Sequence, residues 1–207
     1  MGELTRIFNN YKSDEGRLLH KLLSYAPIYE KYLEPLRGKE VNLVEIGILY
    51  GGCLQMWRDY LGEKCLVYGI DHAEHLLYEE NRIKCFLGEQ SDTAFLNNIH
   101  NLIPNIDIFI DDASHFSKHQ IDTFEAVFPY IRPGGIYFCE DTHTSYRPTH
   151  EGGYLKEDTF IEFCKSLIDS QNYPEDTRIK RPTYIDSLEF ITFYRSLVII
   201  KKCVLPT

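Results

Sequence analysis

No stretch of this sequence approaches the ~20 consecutive apolar residues that a membrane-spanning helix needs. Residues 1–10 lack an apolar run behind a basic start, so no secretory signal peptide is expected. Cysteine pairs of the CxxC kind are also missing. The six cysteines (Cys53, Cys65, Cys85, Cys139, Cys164 and Cys203) are scattered, which excludes a cysteine-built metal cluster and suits reduced thiols in a cytoplasmic protein. Positive charge is in deficit, with 22 Lys+Arg against 31 Asp+Glu and a formal charge of −9. An acidic chain repels phosphate backbones and anionic lipid surfaces, so neither nucleic acid nor membrane is an expected partner. There is no internal repeat or low-complexity segment. With 43% hydrophobic residues over 207 positions, a full core can be buried, and residues 1–207 are read as one domain.

What is present is an alternation of short apolar runs with helical stretches. Strands are expected at 41–46, 65–70, 83–87, 106–110 and 136–139. Helices are expected at 52–60, 92–101, 118–130 and 155–170. Near-continuous apolar strands belong to a parallel sheet covered on both faces. Such βαβ alternation gives right-handed crossovers and a Rossmann-like, doubly wound α/β fold. Residues 13–36 read as one or two helices ahead of the sheet, so 1–38 form an N-terminal helical segment and 39–207 the core. The sequence Arg132-Pro133-Gly134-Gly135 reads as a turn. Two runs at 187–194 and 196–202 read as an antiparallel hairpin that completes a mostly parallel, seven-stranded sheet.

Three successive strand ends carry polar chemistry. The first strand runs into Glu45-Ile46-Gly47-Ile48-Leu49-Tyr50-Gly51-Gly52. Glycines at the carboxyl end of a strand let the backbone turn tightly and approach a ligand. Leu49 stands where a dinucleotide fingerprint has its second glycine, which disfavours a pyrophosphate. Glu45, with Gly47, Gly51 and Gly52, suits a cofactor bearing an ammonium and a sulfonium. Asp71 ends the second strand and is placed to accept both ribose hydroxyls. Gln90, Ser91 and Asp92 follow the third strand, where an adenine edge would lie, and Asp111 at the fourth completes the cofactor-facing set. Taken singly, these glycines are also compatible with a plain turn and Asp71 with a helix cap.

The next two strand ends read Asp111-Asp112-Ala113-Ser114-His115 and Glu140-Asp141. Four carboxylates and an imidazole at one edge of a sheet repel unless a cation joins them. Hard oxygen donors at this density suit Mg²⁺, with Ca²⁺ as the alternative. Asp112 as a helix cap and Asp141 in an Asx turn are the plainer readings. His115 and His119 have helical zinc spacing but no Glu between them, and His119 reads as a solvated helix residue.

These segments resemble the metal-dependent sugar O-methyltransferases of macrolide biosynthesis, of the mycinamicin and macrocin type, to which the cephalosporin hydroxylase-like sequences are similar. The resemblance rests on Tyr29-Glu30-Lys31-Tyr32, Pro35-Leu36-Arg37, Val44-Glu45-Ile46-Gly47 through Gly52, and Met56-Trp57-Arg58-Asp59-Tyr60. It continues through Tyr68-Gly69-Ile70-Asp71, Gln90-Ser91-Asp92, Ile110 to His115, Phe128 to Gly135, and Glu140-Asp141-Thr142. Ala113 replaces the family's usual glycine. Ser13 and Asp14 resemble a family segment near the cofactor. No large N-terminal auxiliary domain is read in these residues. The resemblance implies an S-adenosylmethionine-dependent methyltransferase in which Asp112, Glu140 and Asp141 hold Mg²⁺ and His115 is the catalytic base, with Asp112 beside it. The implied acceptor is a hydroxyl of a sugar, polyol or other small natural product. A hydroxylase or hydrolase sharing the fold, or a metal-independent methyltransferase, is the alternative. Residues 142–154 are expected to border the acceptor, with Tyr146 or Tyr154 stacking on it. A homo-oligomer is left open.

Overall fold

The structure is a computed structural model that describes residues 2–11 and 17–204. Ser13 and Asp14 lie outside the described residues. The chain divides into two compact units, 1–89 and 90–207.

The first unit contains helix α1 (Glu3–Asn10), helix α2 (Ala26–Leu33), strand β1 (Val41–Ile46), helix α3 (Gly52–Leu61) and strands β2 (Cys65–Asp71), β3 (Glu79–Glu80) and β4 (Ile83–Leu87). Its strands lie in the order β3-β4-β2-β1. β1 and β2 run parallel from Val41↔Cys65 to Ile46↔Ile70, and β2 runs parallel to β4. Val41, Leu43, Val44 and Ile46 of β1 are all buried, as expected for a strand covered on both faces. Helix α3 packs tightly on this sheet because Gly69 has no side chain. A Cβ there would come within 2.6 Å of Leu54 and 2.9 Å of Ile48. On the outer side, α3 buries Trp57 against Tyr29 of α2 and Phe8 of α1, at ring distances of 4.8 and 6.2 Å. Removing a fully buried indole of this kind costs about 3–5 kcal/mol, so Trp57 is the anchor of the N-terminal helices.

The second unit contains helix α4 (Thr93–Leu102), strand β5 (Ile106–Asp111), helix α5 (Ser117–Val127), strand β6 (Ile131–Glu140), helix α6 (Phe160–Asn172) and strands β7 (Leu188–Tyr194) and β8 (Leu197–Lys202). Its strand order is β5-β6-β8-β7. β5 and β6 are parallel, while β8 is antiparallel to both β6 and β7. The expected hairpin is present. Tyr194 pairs with Leu197 across Arg195 and Ser196, and Ser196 takes a left-handed φ of 68°. An aromatic cluster fills this unit's core. Phe124 contacts Phe128, Tyr137, Phe163 and Tyr184 with centroids 4.8–5.7 Å apart.

Three sequence expectations need correction. Eight strands occur among the described residues instead of seven, the extra one being the two-residue β3. Residues 132–135 are not a turn but an irregularity inside β6, where the register against β5 shifts between Ile106 and Ile108. Gly134 supplies a left-handed φ of 80°, and a Cβ on Gly135 would lie 2.8 Å from the Asp107 carbonyl oxygen, so both glycines serve a bulge. Helix α6 starts at Phe160, five residues later than expected, because Thr159 caps it by accepting from the Glu162 N–H. No helix among the described residues is long and apolar enough to cross a membrane.

Candidate functional site

In the first unit the chain leaves β1 through a left-handed turn. Gly47 has φ 92°, Leu49 45° and Gly51 79°. The Gly47 N–H donates to the Ile70 carbonyl at 2.8 Å, which holds the turn at the carboxyl end of β2. Asp71 sits at that same end, almost fully buried. Its Oδ2 accepts from the Ile48 N–H and its Oδ1 from the Ala73 N–H, both at 3.0 Å. Asp71 therefore fixes the glycine turn and keeps lone pairs on both oxygens. Gly52 is required by close approach. A Cβ there would lie 2.5 Å from the carbonyl carbon and oxygen of Leu18, in the strap 17–22 that crosses the start of α3.

Glu45 is fully buried. Trp57 Nε1 donates to its Oε2 at 3.1 Å, and Lys21 Nζ lies 2.7 Å from its Oε1, the two charged side chains both shielded from solvent. Lys21 carried no signal in the sequence, since an isolated lysine in a polar segment is ordinarily exposed. Its neighbours Leu18, Leu22 and Leu23 are exposed, while Arg17 is half-buried with its guanidinium on the Tyr78 ring.

In the second unit Gln90, Ser91 and Asp92 have separate fates. Gln90 is buried and its amide is engaged at both ends. Nε2 donates to Asp111 Oδ1 at 2.6 Å and to Thr123 Oγ1 at 3.2 Å, while Oε1 accepts from Ser114 N–H at 3.0 Å and Ser114 Oγ at 2.7 Å. Asp92 caps α4 by accepting from the N–H groups of Ala94 and Phe95. Ser91 is exposed. Asp111 is fully buried and also accepts from Tyr137 Oη at 2.8 Å. Burial pushes its carboxyl up to about 7, against the opposing pull of the hydrogen bonds from Tyr137 and Gln90. The side chains of Gln90 and Asp111 thus face each other within the protein.

Asp112, His115 and Asp141 come together at the ends of β5 and β6, each offering a ligand atom within 4.8 Å of the other two. His115 Nε2 lies 3.6 Å from Asp141 Oδ2. A carboxylate oxygen of buried Glu140 also comes within 4.8 Å of one from Asp112. The two carboxylates and the imidazole of the first group match the hard-donor chemistry of Mg²⁺, and Asp112 links that group to Glu140. His119 is half-buried, not solvated, and its Nδ1 meets Ser114 Oγ at 2.8 Å. Beyond β6, residues 142–154 form two short 3-10 turns, and the rings of Tyr146 and Tyr154 are exposed. Thr144, which no local sequence pattern marks, is buried and bonds the backbone of both acidic turns.

No family model matches the chain. Demethylmacrocin O-methyltransferase of Streptomyces fradiae is 34% identical, over 97% of this chain and 53% of the relative. The 8-demethyl-8-alpha-L-rhamnosyl tetracenomycin-C 2'-O-methyltransferase of Streptomyces olivaceus is 38% identical, over 77% of this chain and 44% of the relative. Among solved structures, the mycinamycin-pathway methyltransferase MycE in complex with Mg, SAH and mycinamycin VI superposes with a TM-score of 0.81 at 29% identity, over 97% of this chain and 53% of that one. The chain spans about half the length of the curated relatives it matches. By sequence and by architecture the chain is a homologue of the natural-product sugar O-methyltransferases, with their Rossmann-like, mostly parallel α/β methyltransferase fold and its antiparallel C-terminal strand.

Proposed function

We propose that this protein is a Mg²⁺-dependent, S-adenosylmethionine-dependent O-methyltransferase that acts in the cytoplasm on a hydroxyl of a sugar or other small-molecule natural product. The observation that carries the reading is the convergence of Asp112, His115 and Asp141 within 4.8 Å at two adjacent strand ends. The relatives' names supply the acceptor class, and the formal charge of −9 disfavours a polyanionic acceptor.

In this reading the first unit binds and orients the cofactor. Asp71 takes the ribose hydroxyls and the turn from Gly47 to Gly52 lets the backbone approach, while Glu45 is held by Lys21 and Trp57 inside the protein. In the second unit Asp112, Glu140 and Asp141 would hold the ion. When bound, Mg²⁺ supplies positive charge that makes an acceptor hydroxyl more acidic. His115 then takes the hydroxyl proton as general base. The freed oxygen lone pair forms the new O–C bond in line as the S–C bond breaks, and the sulfur departs as a neutral thioether. Proximity and alignment supply much of the rate.

Calorimetry tests the cofactor half of this reading. S-adenosylhomocysteine should bind the wild-type protein, and Asp71→Ala should weaken it. Losing hydrogen bonds to a carboxylate, at about 1.5–3 kcal/mol, corresponds to a fall of roughly 10- to 100-fold. Absence of binding to the wild-type chain, with tight binding of NAD in its place, would overturn the proposal.

A further inference from the structure

His115 and Asp141 share an unusual backbone. Both take left-handed φ values, 59° and 53°, and neither is a glycine. Left-handed φ is uncommon outside glycine, although Asp and His adopt it more readily than most residues, and it persists where the surroundings hold it. The two residues belong to different turns, one after β5 and one after β6, and these strands pair in register from Ile108↔Ile136 to Asp111↔Cys139.

One hydroxyl reaches both turns. Thr144 Oγ1 lies 2.8 Å from the His115 carbonyl oxygen and 2.9 Å from the Asp141 carbonyl oxygen. The Thr144 N–H also donates to Asp141 O at 3.0 Å. A hydroxyl has a single proton, so the two carbonyls share it or take it in turn. Either way the oxygen must stay between them. Threonine is suited to this, because its branched Cβ restricts χ1 and fixes the direction of the hydroxyl. Thr144 is itself buried, so water does not compete freely for that proton. On its other side the turn bearing His115 is gripped by Gln90, whose Oε1 accepts from the Ser114 N–H.

We propose that Thr144 is a positioning residue whose hydroxyl locks the turn carrying His115 to the turn carrying Asp141. It thereby sets the separation of the base from the acidic group. The functional weight of this inference rests on the roles proposed above for His115 and Asp141, but the bridge itself is tested without them.

The test compares the full chain with Thr144→Val and Thr144→Ser by amide hydrogen exchange read by mass spectrometry, and by Mn²⁺ binding followed by electron paramagnetic resonance. Thr144→Val should raise exchange about tenfold or more in peptides covering both 112–116 and 141–146. Peptides from the interiors of β5 and β6 should be unchanged. Thr144→Ser should restore most of the protection. Mn²⁺ affinity should fall at least tenfold in the valine variant and recover in the serine variant. Should the valine variant not fold, Thr144→Ala is read by the same criteria. Loosening confined to 141–146, or no rescue by serine, would overturn the proposal, since the hydroxyl would then serve only its own loop or the γ-methyl would be the working group. If the wild-type chain binds no Mn²⁺ while both turns loosen together, the bridge stands and the metal reading falls.

Discussion

Replacing Gln90 by leucine removes an amide that is satisfied at both ends. The volume changes little, so the loss is polar. The bond from Nε2 to the Asp111 carboxyl is 2.6 Å long, and two more tie Oε1 to the N–H and hydroxyl of Ser114. A bond to a charged group is worth about 1.5–3 kcal/mol and each neutral one, including that from Nε2 to Thr123 Oγ1, about 0.5–1.5 kcal/mol, which gives a loss of about 3–7.5 kcal/mol. The lower part of that range applies near neutral pH, because Asp111, pushed up to about 7 by burial, softens the loss by taking up a proton. For a chain of this size the melting temperature should fall by roughly 6–30 °C. Thermal unfolding followed by circular dichroism checks it. A solvent-facing glutamine that only reads a ligand would move stability by less than about 0.5 kcal/mol. A Gln90→Leu protein melting within about 2 °C of wild type would refute the structural role assigned here.

Asp141→Asn removes charge with little change of shape. It should abolish Mn²⁺ binding while leaving S-adenosylhomocysteine affinity within about threefold, an effect of under 1 kcal/mol on calorimetry. Gly52→Ala should disturb the strap, because the added Cβ lands 2.5 Å from the Leu18 backbone, which has no flexible end to swing away. Limited trypsin digestion should then cut after Arg17 or Lys21 severalfold faster than in wild type, and unchanged cleavage would contradict the close packing.

The strand ends were legible because parallel strands buried on both faces read as apolar runs stopped by polar residues, as in Val41–Ile46 followed by Gly47 and Ile106–Asp111 followed by Asp112. Pro133-Gly134-Gly135 misled because the same residues that make turns also make bulges. Helix α1 carries little signal in the sequence because it is one short segment burying little beyond Leu4 and Phe8. The position of Gln90 at a strand end is visible in the sequence, while the pairing of its amide with Asp111 and Ser114 is not. Lys21 and Thr144 were invisible for a related reason. Their importance lies in what they meet across 24 and 29 residues of chain, at Glu45 and His115, and no local pattern encodes such pairings.

The central claim is tested most directly by methyl transfer itself. The chain is incubated with S-adenosylmethionine labelled on its methyl group, Mg²⁺ and a panel of glycosides, with and without excess chelator. The account predicts label transferred to a hydroxyl of at least one glycoside, abolished by chelator and restored by added Mg²⁺. It also predicts a rate loss on the order of 10²–10⁴ in His115→Ala. Full transfer in excess chelator, with Glu140 and Asp141 tolerant of substitution, would contradict the metal-assisted mechanism and leave the carboxylates as parts of turns.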